Sequence, residues 1–477
     1  MSPVAAVLVV PAVAAAVLAL VPGYRAGTRL NVIASLVTLL AAVMLLAAGP
    51  VAGEYLLVDE LNSVFILLNS FVGFTAAIFS ASYIGHEIEI GRLTPVYLRF
   101  YHAMYQLMMF GMNLALVSNN IGLMWVAIEL ATLTTVLMVG IYRTHEALEA
   151  AWKYFILGSV GIALALFGTI LVYMAAQPVL GEGSASMIWT NLMRGAAEFD
   201  PAMLNVAFVF LLLGYGTKVG LAPLHAWLPD AHAEGPTPIS AVLSGLLLNV
   251  ALYAVLRFKM LMAANAEALS PGPLMVAMGL LSLVFAAFML YRRRDVKRLF
   301  AYSSIEHMGI IVFAFGIGGP LANFAGLLHM TMHSLTKSAI FYAVGMIAQV
   351  KGSQRIADIR GLTQSHPALG FGFAVAVLAI AGMPPFGVFM SEFLLVTTAF
   401  ARVPALALVL VVGILVAFGA LLLRLTEMLF GPPTGPVGQP RGSLLPLYGH
   451  MGLVLLGGVH LPGPVVGWFE AVARLLG

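Results

Sequence analysis

Apolar runs of about twenty residues recur along the chain, divided by short stretches where charges, prolines and glycines gather. A helix that crosses a bilayer needs about 20 mostly apolar residues. That rule predicts an all-α polytopic membrane protein with about 14 spans. They fall over residues 4–22, 30–48, 62–84, 101–118, 121–141, 153–175, 203–226, 237–257, 272–291, 299–317, 321–348, 369–400, 404–424 and 444–470, the last rich in glycine. No polar stretch is long enough to form a second, soluble domain, so residues 1–477 read as a single membrane domain.

Two spans are interrupted. "KVGLAPLHAWLPDAHAEGPTP" carries four prolines after Lys218, and "AIAGMPPFGVFMSEF" places Gly382, Pro384, Pro385 and Gly387 in mid-span. Proline removes a backbone donor and disrupts the preceding turn. Non-helical backbone at membrane depth is tolerated only inside protein or beside a water-filled cavity. One break per half, each near a buried charge, fits the repeat pattern of transporters. The repeat is weak as sequence, because Lys218 precedes its break whereas Glu392 follows its own. The plainer reading of both breaks is proline kinks without function.

Composition strengthens the membrane reading. Of 477 residues, 61% are hydrophobic and 9% charged, and the mean hydropathy is +1.01. Soluble domains carry roughly 25% charged residues. The chain has no cysteine, which excludes disulfides, thiolate zinc sites and cysteine-bound iron–sulfur clusters. Redox chemistry, if present, belongs to another chain. Residues 1–22 lack a basic leading segment and read as a retained first helix, the other reading being a cleaved signal peptide.

The net charge of +3 becomes informative once it is sorted by side. One set of alternate loops, from Arg25 and Arg29 through Arg292–Arg294 to Arg441, holds sixteen basic residues, and the other set holds Arg194, Arg257, Lys259, Arg402 and Arg474. Excess Lys and Arg mark the cytoplasmic face. Both termini are therefore expected outside the cytoplasm, in the cell's inner membrane.

Four charged residues stand near mid-span: Glu129, Lys218, Lys337 and Glu392. Each would cost about 2.5–3.5 kcal/mol if left facing lipid. They must face protein, water or one another. Glu129 and Lys218 can be read as an ion pair that fixes packing, but desolvation makes such pairs weak stabilisers. Burial disfavours the charged form of either group, and an opposite charge restores it. A lysine whose carboxylate neighbour moves is thus a switchable proton site.

His329, His333 and Lys337 recur every four residues on one helix and share a face. His307 lies in the preceding span, in "YSSIEHMG". Imidazole carries protons in either direction near neutral pH. The competing readings of "HMTMHSLTK" are two satisfied core histidines, or a zinc pair that lacks an evident third ligand.

The stretches "LMWVAIELATLTTVLMVGIYRTHEALEAAWKYFILG", "KVGLAPLHAWLPDAHAEGPTPISAVLSG", "RRRDVKRLFAYSSIEHMGI", "HSLTKSAIFY" and "GMPPFGVFMSEFLL" together resemble the antiporter-like membrane subunits of respiratory complex I, membrane-bound hydrogenases and multisubunit cation/proton antiporters. The resemblance covers residues 100–430, and "RTHEALEAAWKYFIL" and "SAVLSGLLLNVALYAVLR" are most similar to the hydrogenase-4 component F branch. It implies 14 helices: three in residues 1–100, two inverted five-helix repeats in 101–257 and 272–430, and a last helix in 444–477, with helices 7 and 12 broken. It places the family's proton-carrying positions on Glu129, Lys218, His307, His333, Lys337 and Glu392, with His329 on the same face as His333.

Lys153 matches a lysine that modulates the Glu129–Lys218 pair, or else is an ordinary positive-inside anchor. The family often has a lysine where this chain has Asn249. Asparagine cannot carry the proton but can orient a water. The resemblance further implies a proton-translocating subunit with no cofactor of its own. Its expected partners are other antiporter-like and small membrane subunits, and peripheral redox subunits bearing iron–sulfur clusters with a nickel–iron site or flavin. Lipid surrounds it and nucleic acid has no place. The alternatives are a sodium/proton antiporter subunit and a structural subunit without transport.

Overall fold

The computed structural model describes residues 2–435 and 442–477; Arg441, assigned above to the basic side, lies outside them. The apolar runs form helices α1 (Pro3–Leu20), α2 (Tyr24–Ala48), α3 (Glu60–Glu89), α4 (Pro95–Val117), α5 (Ile121–Val139), α6 (His145–Leu180), α7 (Pro201–Val219), α8 (Trp227–Glu234), α9 (Thr237–Ala263), α10 (Gly272–Leu290), α11 (Val296–Ile317), α12 (Pro320–Lys351), α13 (Pro367–Ile380), α14 (Gly387–Arg402), α15 (Pro404–Leu429), α16 (Leu445–Val459) and α17 (Gly463–Leu475). Between α2 and α3 sits a small antiparallel hairpin, β1 (Val51–Ala52) and β2 (Leu57–Val58).

Capping chemistry sets several starts. The Asp59 carboxylate accepts from Asn62 N while Asn62 Oδ1 accepts from Asp59 N, a reciprocal box at the head of α3. Asn120, Thr144, Asp200 and Asp295 cap α5, α6, α7 and α11 in the same sense.

Among the described residues, ten helices are long and apolar enough to cross a membrane, or eleven if the bent pair α16–α17 counts as one. The fourteen expected stretches all fall on helices, but the count of fourteen crossings is not met by this measure. Helices α4 and α12 carry rows of buried polar residues, and the stretch 369–400 is divided between α13 and α14. The stretch 444–470 also departs from expectation: it bends by 78° between Val459 and Gly463, where Pro462 and Pro464 cannot continue a helix. Beyond the bend, Trp468 of α17 donates from Nε1 to Glu60 O at 3.0 Å.

The apolar window of α9 is wholly buried and that of α11 is 94% buried, against 33% for α1 and α15. The bundle centre is thus made by α9, α11 and α12, with the first and thirteenth expected spans on its outside. Small residues let helices approach to backbone contact. A Cβ on Gly214 of α7 would collide with Ala165 N and Gly161 O of α6, and one on Gly279 of α10 would lie 2.7 Å from Gly309 O of α11.

Both expected breaks are present. α7 ends at Gly220 (φ +84°), a left-handed cap that only glycine takes without penalty. The helix resumes at Trp227, and in the gap Ala222 N donates to Ser282 Oγ of α10 at 2.9 Å. α13 ends before Gly382 (φ +74°), and α14 begins at Gly387. Gly458 of α16 lies against Pro385 O, so this break is covered by protein. Each gap holds one cis X-Pro peptide, Ala222–Pro223 and Pro384–Pro385. A π-turn over Leu243–Leu247 interrupts α9 immediately before Leu248 and Asn249.

Candidate functional site

Lys218 occupies the last turn of α7, where the unpaired carbonyl ends favour a cation. Its Nζ donates to Glu129 Oε2 at 3.1 Å and to Thr132 Oγ1 at 3.0 Å, both on α5. The lysine side chain is 2% exposed and the glutamate 17%, so the carboxylate is the more accessible of the two. Gly158 of α6 lies alongside; a Cβ there would sit 3.1 Å from Nζ. Around the break, Trp227 Nε1 donates to Thr217 O at 2.9 Å and its ring stacks on Tyr154 at 4.2 Å. The sequence reading of a Glu129–Lys218 pair is therefore met in geometry.

Lys153 is placed elsewhere. Its Nζ meets Glu149 Oε1 at 2.6 Å and Asp230 Oδ2 at 3.1 Å, and nearly half of its side chain is exposed. Asp230 also receives Arg298 Nη2 at 3.1 Å, and the same guanidinium reaches Glu234 Oε1 at 3.2 Å. Lys153 thus binds α8, the segment beyond the first break, and not the Glu129–Lys218 pair.

Asn249 donates from Nδ2 to Gly245 O at 3.0 Å and to Ser334 Oγ at 2.7 Å, while its buried Oδ1 has no protein partner. Gly245 lies within the π-turn, so the asparagine side chain bonds the irregular part of α9. Ser244 and Ser304 meet at 2.7 Å one turn away. Lys337 of α12 is fully buried and donates to Phe300 O at 3.0 Å, with its Nζ 5.5 Å from the Phe300 ring centroid. Unlike Lys218, it has no carboxylate in salt-bridge contact among the described residues.

The histidines converge on the second break. His307 Nδ1 and His329 Nε2 lie 3.0 Å apart, and His329 Nδ1 lies 2.9 Å from Ser391 Oγ of α14. Glu392 follows Ser391, its carboxylate pressed against Gly382 where no side chain would fit. His333 stands one turn from His329, its ring 5.5 Å from that of His307, and neither of its nitrogens has a partner. A ligand atom from each of His307, His329 and Glu392 lies within 4.8 Å of the other two. The third metal ligand missing from the sequence reading therefore exists, but it joins His329 to His307 rather than to His333. The 3.0 Å contact between His307 Nδ1 and His329 Nε2 already joins the two rings directly.

Two groups escaped the sequence reading. Glu306 is a fifth intramembrane charge, buried to 2%, so the tally of four was short. Its Oε2 lies 3.1 Å from His307 Nε2 without hydrogen-bond geometry. The all-round burial of α11 is what makes it notable, and a sequence of mixed polar and apolar residues does not display that. His232, in "PDAHAE", is fully buried with both ring nitrogens unpartnered and its ring stacked on Phe341 at 4.9 Å. The signal for it was the histidine among the prolines of the first break.

Residues 118–418 match the family described as NADH:quinone oxidoreductase/Mrp antiporter, transmembrane region. A hydrogenase-4 component F homolog of Methylacidiphilum infernorum is 63% identical over 472 residues, 99% of this chain and 99% of that protein. In the solved membrane-bound sulfane sulfur reductase, an archaeal respiratory membrane complex, one chain superposes with a TM-score of 0.89 at 24% identity, covering 100% of this chain and 98% of that one. A chain of the Mrp complex from a Dietzia species superposes with a TM-score of 0.86 at 20% identity, covering 99% and 97%. Identity over nearly the whole length, on a fold shared end to end, leaves one assignment: this chain belongs to the NADH:quinone oxidoreductase/Mrp antiporter family of membrane proteins.

Proposed function

We propose that the chain is a proton-translocating subunit of a hydrogenase-4- or complex I-like respiratory complex. The observation that carries this reading is the placement of unpaid-for polar groups: Lys218, Lys337, three histidines and Glu392 lie buried in one bundle, beside two helix breaks. Protons from the cytoplasm rest on Lys218 when it leaves Glu129. They pass the water-orienting Asn249 and Ser334 to Lys337, then His333, His307 and His329, and leave by Glu392. Each charge moved against 100 mV needs about 2.3 kcal/mol. That energy comes from redox chemistry on partner chains, which carry iron–sulfur clusters with a nickel–iron site or flavin. Other antiporter-like and small membrane subunits complete the complex. The positive-inside pattern supports an inner-membrane orientation with both termini outside.

The test is proton translocation by the assembled complex in vesicles, read with a pH-sensitive dye. Lys218→Ala is expected to lower the rate by about a hundredfold, the scale lost when a positioned proton carrier is removed. Translocation undiminished in both Lys218→Ala and Lys337→Ala would make this a structural subunit. Translocation that follows a sodium gradient and ignores redox turnover would make it a sodium/proton antiporter subunit.

A further inference from the structure

The inner end of α3 holds a feature that the path above does not use. A polar cavity of about 180 Å³ opens between α3 and α12, lined by Tyr83, His86, Glu87, Arg92, Gln349 and Gln354 among others. That is room for several waters. The Glu87 side chain is 1% exposed and is only partly neutralised: Arg92 Nη1 stands 3.5 Å from Oε2 and Gln349 donates to Oε1 at 3.0 Å. Arg92 itself lies mostly in solvent. Arg92 lines the cavity, and Lys351 and Arg355 flank its lining residues Gly352, Ser353 and Gln354 in sequence, which puts it on the basic face.

Behind Glu87 the polar groups continue inward. Thr237, at the head of α9, donates to Tyr83 Oη at 3.2 Å. The buried Tyr142 hydroxyl, beside Tyr83 and Glu87, has no partner of good geometry. Lys297 of α11 binds the α8–α9 junction through Ala233 O at 3.1 Å and Gly235 O at 2.7 Å, within electrostatic reach of Glu87. Next comes His232, with two unpartnered nitrogens, within electrostatic reach of both Lys297 and Lys337. It stacks on Phe341, one helical turn from Lys337.

We propose that this cavity is a second proton inlet, in which Glu87 takes protons from the basic face and His232 hands them to Lys337 without passing Lys218. Only protons move: one is taken up by the Glu87 carboxylate, relayed along the hydroxyls of Tyr83, Tyr142 and Thr237 with water between, and received by a free nitrogen of His232. The neutral Lys337 amine accepts it, and His232 returns to its neutral form. The proposal rests on the reading that the buried groups carry protons, and adds where the second half of the path is filled.

The absence of cysteine from the chain allows a direct test. Glu87→Cys, His232→Cys and, as a control in the bundle core, Val344→Cys are each placed in the full complex. A small cationic methanethiosulfonate is then added from the cytoplasmic side. Thiolate formation needs water, so the thiols at 87 and 232 are expected to react at least about tenfold faster than the one at 344. Prior modification of Gln349→Cys with a bulky reagent is expected to slow both. Ser240→Cys, at the hydroxyl that binds His232 O at 3.0 Å, reports the same space should His232→Cys fail to assemble. Reporters at 232 and 240 that react no faster than position 344 overturn the inlet, as does access only from the opposite side. A dry His232 with translocation still dependent on Lys218 removes the inlet alone. A wet His232 with translocation indifferent to Lys218 removes the main path instead.

Discussion

At the scale of single residues, the glycines beside the buried charges are as telling as the charges. Gly158 leaves the Lys218 ammonium its place between Glu129 and Thr132. In Gly158→Ala the new methyl meets the free end of a flexible chain, so the lysine yields and one of its two bonds lengthens. A charge-assisted bond contributes about 1.5–3 kcal/mol. We expect the pairing to weaken by about 1 kcal/mol, with proton translocation slowed several-fold while the complex still assembles on a native gel. Gly382→Ala should be harsher. Its φ of +74° costs a side chain about 1–2 kcal/mol, and the methyl collides with the Glu392 carboxylate. Heating in detergent should unfold this variant several degrees below the parent. Lys218, Lys337 and Glu392 were legible in sequence as buried charges, because a charge in an apolar run is too costly to leave facing lipid. Glu306 was not, since its neighbours are serine, tyrosine and histidine, and the reach of Lys153 to Asp230 depends on a loop geometry that spacing does not encode.

At the scale of elements, helix positions followed directly from runs of about twenty apolar residues, and the two breaks from their prolines. What the runs hide is how closely helices meet. Gly214 brings α7 onto the backbone of α6 at Gly161 and Ala165. Overpacking a close contact costs about 1–3 kcal/mol or more, and here the obstacle is backbone that cannot rotate away. Gly214→Val should therefore separate the helices that carry Lys218 and Gly158, seen as loss of the assembled complex and not as a selective loss of transport. The π-turn at Leu243–Leu247 and the bend between α16 and α17 were also hidden: the first has no residue signature, and the second showed only as glycines and prolines in a stretch otherwise apolar enough to span.

At the scale of the whole molecule, sorting Lys and Arg by loop predicts one orientation. A tag on the N-terminus should be cleaved by protease added outside intact cells, whereas a tag in the 292–295 loop should be spared until the membrane is opened; the reverse pattern would invert the direction of the proposed path. One carboxylate gives this orientation a mechanical side. Asp230, on the segment beyond the break of the seventh span, grips Lys153 from the N-terminal side of the chain and Arg298 from the C-terminal side. Each tie is half in water and alone is worth about 0.2–1 kcal/mol. Joined through a single side chain, however, they form a yoke: loss of the Asp230 carboxylate would loosen α8, the segment that flanks Lys218, from both α6 and the helix that bears His307 at once.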